Sequence, residues 1–126
     1  MPIAQQVVVT VANRPGTLAA VCEALAAKRI NITGLDCSGA QRQIRLLTSS
    51  PAQAVRALKK ARMRARLEPA LVVTLPDKAG ALARAARKLA RRRININYGY
   101  ATVARGGKRA AIVFGVGSPA RAARAL

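Results

Sequence analysis

The spacing of apolar residues divides the first half of this chain into alternating strands and helices. Apolar side chains at every second position indicate a strand, and recurrence every three or four positions indicates a helix. The pattern predicts strand, helix, strand, strand, helix and strand over residues 7–12, 17–29, 30–37, 43–48, 51–61 and 63–68. This order is typical of the split βαβ, or ferredoxin-like, arrangement, in which two helices cover one face of a four-stranded antiparallel sheet. We expect residues 1–6 to be a frayed start.

The second half of the chain repeats the first. At an offset of 64 residues, the identical pairs include Leu18/Leu82, Ala19/Ala83, Leu25/Leu89, Ala26/Ala90, Arg29/Arg93, Ile30/Ile94, Asn31/Asn95 and Ile32/Ile96. Because polar as well as apolar positions are identical, a duplication explains the match better than a shared amphipathic pattern. The repeat predicts further strands and helices over residues 70–75, 80–93, 94–102, 109–115 and 119–126, with a longer hairpin around residues 105–108.

These elements predict an α+β fold made of two ferredoxin-like (βαββαβ) repeats with antiparallel sheets. The repeats cover residues 1–68 and 69–126, and Pro69 separates the last strand of the first repeat from the first strand of the second. Nothing in the second repeat matches residues 59–68, so we expect it to lack its last strand. Either the sequence is truncated there, or another chain fills the vacant sheet edge.

A sharp turn follows the first strand of each repeat and precedes the first helix. In the first repeat the turn is Asn13-Arg14-Pro15-Gly16, and the proline keeps the preceding residue out of the helical region. Gly16 lets the backbone turn tightly and lets a ligand come close, and Thr17 can start the helix as its cap or first residue. The turn therefore places backbone amides and the Asn13 side chain at the positive end of a helix, where a carboxylate is favoured.

The chain is strongly basic. Its 126 residues include 23 lysines and arginines but only four acidic residues, which gives a formal net charge of +19. One predicted helix carries Arg84, Arg87, Lys88 and Arg91 at the spacing of a single helix face. This stripe is either a solvated face or a surface for nucleic acid or an acidic partner. With only three aromatic residues, platforms for base stacking are nearly absent.

The composition argues against catalysis and against a membrane protein. The sequence has no histidine, its four carboxylates are widely spaced, and no serine or cysteine has an evident base partner. No set of metal ligands can be assembled, and we expect no cofactor. No apolar run approaches the roughly 18 residues of a membrane span, and the start lacks the pattern of a signal peptide. We therefore expect a cytoplasmic protein.

The turn and the strand start that follows it resemble the ACT domain family of small-molecule regulatory modules. The resemblance rests on Asn13-Arg14-Pro15-Gly16-Thr17-Leu18 followed by Ile30-Asn31-Ile32, which is a fairly specific combination. Residues 75–82 and 94–101 of the second copy resemble the second domain of stand-alone tandem ACT proteins, which are usually described as amino-acid-binding. The resemblance covers essentially the whole chain.

The resemblance also implies where a ligand binds. In the family, two domains pair side by side through their second strands, and ligands lie at the interface near the first loop. Asn13 and the Gly16 loop then face Asn95 across one site, and Asp77 and the Gly80 loop face Asn31 across the other. The ligand-binding residues implied in this way are Asn13, Arg14, Pro15, Gly16, Thr17, Leu18, Asn31, Ile32, Asp77, Lys78, Gly80, Ala81, Leu82, Asn95 and Ile96.

We therefore expect a non-catalytic regulatory or sensor module, in a homo-oligomer such as a dimer, that binds an amino acid between ACT repeats. Helix-start amides suit its carboxylate, and an Asn or Asp oxygen suits its ammonium group. Two alternatives stay open: a basic nucleic-acid-binding protein of the same topology, and a regulatory subunit that docks on a metabolic enzyme. Asn31 and Asn95 can also simply satisfy backbone groups where helix passes into strand, and Asn13 can be a plain turn residue.

Overall fold

The computed structural model describes residues 3–102 and 109–126, so the hairpin expected around residues 105–108 lies outside the described residues. Within this part, the six strands and four helices are β1 (Ile3–Thr10), α1 (Thr17–Ala26), β2 (Ile32–Ser38), β3 (Gln43–Thr48), α2 (Pro51–Lys60), β4 (Arg64–Pro76), α3 (Ala81–Arg91), β5 (Ile96–Ala101), β6 (Arg109–Val116) and α4 (Pro119–Ala125). The order is βαββαβ followed by αββα, which confirms the predicted α+β class of ferredoxin-like repeats.

The chain forms two compact units. The first unit is Gln5–Glu68, and the second unit is Pro69–Leu126 together with the described start of the chain, Ile3 and Ala4. The strands of the first unit are ordered β2-β3-β1-β4, where β4 runs on past Pro69 into the second unit, and the strands of the second unit are ordered β4-β6-β5. The first order is the one that a split βαβ unit requires, because its first and third strands are central and antiparallel neighbours.

The first unit buries a core between its sheet and its two helices. Val9 pairs with Ile44 and Val7 pairs with Leu46 across β1 and β3. These apolar residues lie on one face of the sheet, because side chains along a strand alternate between the two faces. Helix α1 adds Val21 and Leu25 to this core. The buried set is Val7, Val9, Val21, Leu25, Ile30, Ile44, Leu46, Ala54, Ala57 and Leu58. At roughly 1.5–3 kcal/mol for each large side chain, this burial is the main stabilising term of the unit.

The second unit repeats this packing with a smaller core of Leu71, Leu89, Ile94, Phe114 and Ala122. Leu71 pairs with Phe114 across β4 and β6, which brings two core residues of neighbouring strands together. Leu89 and Ile94 come from α3 and the turn after it. The matching residues in the first unit, Leu25 and Ile30, are buried as well. The duplicated residues therefore have duplicated roles.

Helices α1, α2 and α3 end in the same way. After α1, the Ile30 amide donates to the Leu25 carbonyl and the Arg29 amide donates to the Ala26 carbonyl, which are the two bonds of a Schellman motif. Arg29 occupies the left-handed position with φ of 56°, where glycine is usual. Arg62 after α2 and Arg93 after α3 have φ values of 64° and 56°. The Arg-Ile sequence shared by the two repeats is thus a helix-ending motif.

Several boundaries differ from the sequence predictions. Strand β4 runs without a break through Pro69, so the expected separation there is wrong; the fixed φ of proline suits an extended strand. Strand β1 begins at Ile3, so a frayed start is wrong for residues 3–6. Strand β1 borders β4, and its first two residues, Ile3 and Ala4, belong to the second unit. The missing last strand of the second repeat stays a prediction.

The second strand of each unit lies at a sheet edge. In the strand order of the described residues, β2 borders β3 alone and β5 borders β6 alone. The pairing of the two domains through their second strands, which the resemblance implied, stays a prediction. Both edges carry backbone groups that are open to another strand.

We expect replacement of Arg29 by glycine to stabilise the first unit. A left-handed conformation costs a non-glycine residue about 1–2 kcal/mol, and the added freedom of glycine in the unfolded chain offsets part of this. The net gain should be about 0.5–1 kcal/mol, or a rise of about 2–6 °C in Tm. Urea denaturation measures the change. Lys28→Gly removes the same charge without a left-handed φ, and it should not stabilise. A lower stability for Arg29→Gly would contradict this account of the helix end.

Candidate functional site

A cleft of about 450 Å³ lies at the start of α1 in the first unit. We call it the first-loop cleft. Its walls come from the end of β1, the loop and first turns of α1, and the segment between α2 and β4. The lining residues are Thr10, Val11, Ala12, Arg14, Pro15, Gly16, Thr17, Ala20, Val21, Arg62, Met63 and Arg64. The volume suits a small metabolite, since ligand pockets begin at about 300 Å³.

The loop that lines the cleft is held in shape by Thr17 and Gly16. The Thr17 hydroxyl lies 2.9 Å from the Ala12 carbonyl oxygen and 3.0 Å from that of Arg14, so it donates within the loop and ties its two ends together. Gly16 is the N-cap with φ of 86°, a left-handed conformation that favours glycine. No side chain of the described residues caps α1. The Thr17 amide donates to the Arg14 carbonyl and the Ala20 amide to the Gly16 carbonyl, which leaves the amides of Leu18 and Ala19 as the first-turn donors for an acceptor.

Three arginines line the cleft. Arg14 lies in the loop, whereas Arg62 and Arg64 flank Met63 where the chain passes from α2 into β4. All three are exposed at the residue level. In the described part of the chain the ion pairs join Asp36 with Arg45 and Glu68 with Arg66, so none of the three cleft arginines is in one. Helix amides and guanidinium groups are both donors, and together they favour an anionic ligand.

The second unit has a cleft of about 340 Å³ at the matching loop. Gly80 is the N-cap of α3 with φ of 87°, as Gly16 is for α1. The Arg84 guanidinium folds over this glycine, because its Nη1 atom lies 2.9 Å from the position that a Cβ of residue 80 would take. The lining residues are Val73, Leu75, Pro76, Lys78, Ala81, Arg84, Ala85, Lys88 and Leu126. Both clefts are therefore lined by cations and apolar groups.

The two asparagines of the duplicated motif lie away from these clefts within their own units. Asn95 lines a separate cleft of about 380 Å³ with Arg93, Asn97, Ser118 and other residues after α3. Its amide group donates to the Asn97 Oδ1 atom at 2.8 Å. The backbone N–H of Asn31 donates to the Ser49 hydroxyl at 3.1 Å, and the backbone carbonyl of Asn31 accepts from the Ser49 amide. The side chain of Asn95 thus has a local partner, whereas these bonds of Asn31 involve only its backbone.

The structure brings together only some of the predicted site residues. The first-loop cleft includes Arg14, Pro15, Gly16 and Thr17, and the second cleft includes Lys78 and Ala81. The Asn13 side chain lies over Gly39 in the hairpin between β2 and β3 instead, with Oδ1 2.5 Å from the position of an added Cβ. Some predicted residues line neither the first-loop cleft nor the matching cleft of the second unit: Asn13, Leu18, Asn31, Ile32, Asp77, Gly80, Leu82, Asn95 and Ile96.

Sequence reasoning missed Arg62, Met63 and Arg64, although a signal for them was present. These residues lie at the start of the fourth strand of the repeat, and in the ferredoxin-like order that strand borders the first. An antiparallel neighbour of β1 begins where β1 ends, which is at the turn. The basic residues at the start of β4 could therefore have been placed beside Arg14 from the predicted topology alone.

Two further features of the described residues bear on the kind of site. They contain no group of three or more His, Cys, Asp or Glu side chains that could hold a metal ion. No helix among them has the length and apolar character needed to cross a membrane.

Comparison with known proteins identifies similar folds. A crystal structure of a protein from Bacteroides thetaiotaomicron is 27% identical, with a TM-score of 0.88 over 99% of this chain and 87% of that chain. The ligand-free regulatory subunit of aspartate kinase from Thermus thermophilus is 20% identical, with a TM-score of 0.64 over 98% of this chain and 90% of that one. The regulatory subunit from Thermus flavus is 19% identical, with a TM-score of 0.64, 99% coverage of this chain and 92% of that chain.

At 19–20% identity, the likeness to the two kinase subunits shows the fold. Among curated proteins, none matches the sequence. The sequence profile that describes the ACT domain pair matches residues 1–126. The chain therefore belongs to the family of ACT domain pairs.

Proposed function

We propose that this chain is a non-catalytic regulatory module that binds a small anionic molecule, an amino acid, in the first-loop cleft. The observation that carries the proposal is the cleft itself, in which an uncapped helix start and three arginines converge without an acidic side chain among the lining residues. ACT domain pairs are regulatory modules, and two similar folds are regulatory subunits of aspartate kinase. These relatives support the regulatory part of the proposal.

The chemistry of the cleft favours an acidic amino acid over a neutral or basic one. The α-carboxylate would accept from the open amides at the start of α1, and a second carboxylate would meet Arg62 or Arg64. The ammonium group would have only backbone carbonyls as acceptors, because the lining contains no Asp or Glu. A basic side chain would meet three like charges, which is unfavourable.

The proposal extends to the assembly and its output. The open edges of β2 and β5 suit pairing with a second copy, and such a homodimer would bring an asparagine of one copy, Asn31 or Asn95, towards the cleft of another. We place the protein in the cytoplasm, where an amino acid pool is available to be sensed. The signal would pass to a metabolic enzyme on which the module docks, as a regulatory subunit does.

A thermal-shift panel tests the proposed ligand class. A ligand that binds only the folded state stabilises it by about 2.7 kcal/mol at a concentration of 100 Kd. The panel should pair near-isosteric acids and amides: glutamate with glutamine, and aspartate with asparagine. We expect an acid of at least one pair to raise Tm by several degrees and its amide to have a much smaller effect. Equal shifts within both pairs, or no shift with any of the twenty amino acids at 10 mM, would contradict the proposal.

A further inference from the structure

The outer face of α3 differs in charge from the matching face of α1. Arg84, Arg87, Lys88 and Arg91 correspond, at the repeat offset of 64 residues, to Ala20, Glu23, Ala24 and Ala27. We call these four cations the α3 face. The two helices have the same place in the same fold, so packing does not require the cations. A change from one acid and three alanines to four cations is therefore a property of the second unit alone.

The α3 face is exposed and has no counterions of its own. All four residues are exposed, and none of them is in an ion pair within the described residues. The spacing i, i+3, i+4, i+7 brings the four like charges together along about 10 Å of helix, at 1.5 Å per residue. Like charges at these spacings destabilise a helix, so an anionic partner would relieve the repulsion.

The cationic surface continues from α3 onto the neighbouring helix of the same unit. Helix α4 packs beside α3 and carries Arg121 and Arg124. Arg92, Arg121 and Arg124 line a cleft of about 240 Å³. The Arg121 guanidinium donates to the Arg92 carbonyl, which holds it at this position. We call the α3 face together with Arg92, Arg121 and Arg124 the basic strip.

We propose that this strip binds the phosphate backbone of a nucleic acid without reading its sequence. Arginine predominates in the strip, and its planar guanidinium matches phosphate oxygens with two donors. A protein partner is less well served, because protein interfaces have an apolar and aromatic core, whereas the exposed large apolar side chain on α3 is Leu82 at the helix start. The scarcity of aromatic residues argues for contacts to phosphate instead of stacked bases.

Fluorescence anisotropy with a labelled 20-nucleotide RNA of mixed sequence tests the proposal. Four to six phosphate contacts predict a slope of about −3 to −4 for log K against log[salt] on a single strand. The test variant is Arg84→Ala, Arg87→Glu, Lys88→Ala and Arg91→Ala, which gives α3 the pattern of α1. We expect it to reduce affinity at least 30-fold at 100 mM NaCl and to make the slope less negative by about 3, at about 0.7 for each lost phosphate contact. Alanine favours helix, so circular dichroism should show an unchanged helical content.

A matched control separates the effect of the strip on RNA affinity from the effect of total charge. Lys28→Ala, Arg56→Glu, Lys59→Ala and Lys60→Ala change the net charge by the same amount at exposed positions of the first unit. This control should lose less than threefold in affinity. Equal losses in the two variants, or an unchanged affinity in the α3 variant, would overturn the proposal. Binding of a 20-residue polyglutamate as tightly as the RNA would also overturn it, because carboxylates would then suffice and an acidic protein would be the partner.

Discussion

Replacing Arg62 by glycine is expected to stabilise the first unit and to weaken its ligand binding at the same time. Arg62 occupies the left-handed position at the end of α2, so glycine should raise the free energy of unfolding by about 0.5–1 kcal/mol. The same change removes a guanidinium from the first-loop cleft. A hydrogen bond to a charged group contributes about 1.5–3 kcal/mol, so affinity for the acidic amino acid should fall about 10- to 100-fold.

Two measurements on one variant check this prediction, with Arg29→Gly as the control. Urea denaturation gives the stability, and calorimetric titration with the amino acid selected by the thermal-shift panel gives the affinity. Arg29 has the same left-handed conformation at the end of α1 but does not line the cleft. Its glycine variant should therefore gain stability and keep its affinity. If Arg62 has only a structural role, the two variants should bind the amino acid with equal affinity. That result would show that Arg62 does not belong to the binding site.

Replacing Gly115 by valine is expected to be the most damaging change in the second unit. A Cβ added at this position would overlap the ring of Tyr98, which lies directly across β5 and β6 from the glycine. The ring must leave its position or the strands must separate. Overpacking of this kind costs about 1–3 kcal/mol, and displacing the partly buried tyrosine adds to it. We expect a fall in the free energy of unfolding of about 3 kcal/mol by urea denaturation.

The double variant Tyr98→Ala with Gly115→Val tests the cause. Alanine removes the ring that the new side chain would meet, so the double variant should be more stable than the sum of the single changes predicts, by about 1 kcal/mol or more. Gly117→Val is the control, since an added Cβ there has no neighbour within 4 Å. Additive single effects would show that the strand backbone, and not the Tyr98 ring, limits the size of residue 115.

The sequence was sufficient for the fold of the two repeats. The identities at Leu25/Leu89 and Ile30/Ile94 mark buried core positions, and a core residue is recognised by period and apolar character alone. Gly16 and Gly80 were readable for a similar reason, because a left-handed helix start favours glycine. At these positions the residue type that the structure requires can be recognised from the local sequence alone.

Other features depend on tertiary contacts that local patterns do not show. Proline usually interrupts a strand, but the strand position of Pro69 tolerates the missing amide and β4 continues through it. The sequence pattern did not single out Arg62, whereas the end of α2 and the neighbouring strands β1 and β4 bring it to the cleft. Asn13 was predicted to face a ligand, and its side chain packs on Gly39. The sequence thus predicted the loop wall of the candidate cleft and not the opposite wall.

The location of the bound amino acid tests the central claim most directly. In an NMR titration with ¹⁵N-labelled protein, we expect the amides of residues 14, 16, 17 and 62–64 to shift most at saturation, because these residues line the first-loop cleft. Arg62→Gly should require a correspondingly higher ligand concentration for the same shifts. Changes confined to residues 93–97 and 117–121, around Asn95, would place the ligand elsewhere and contradict the account.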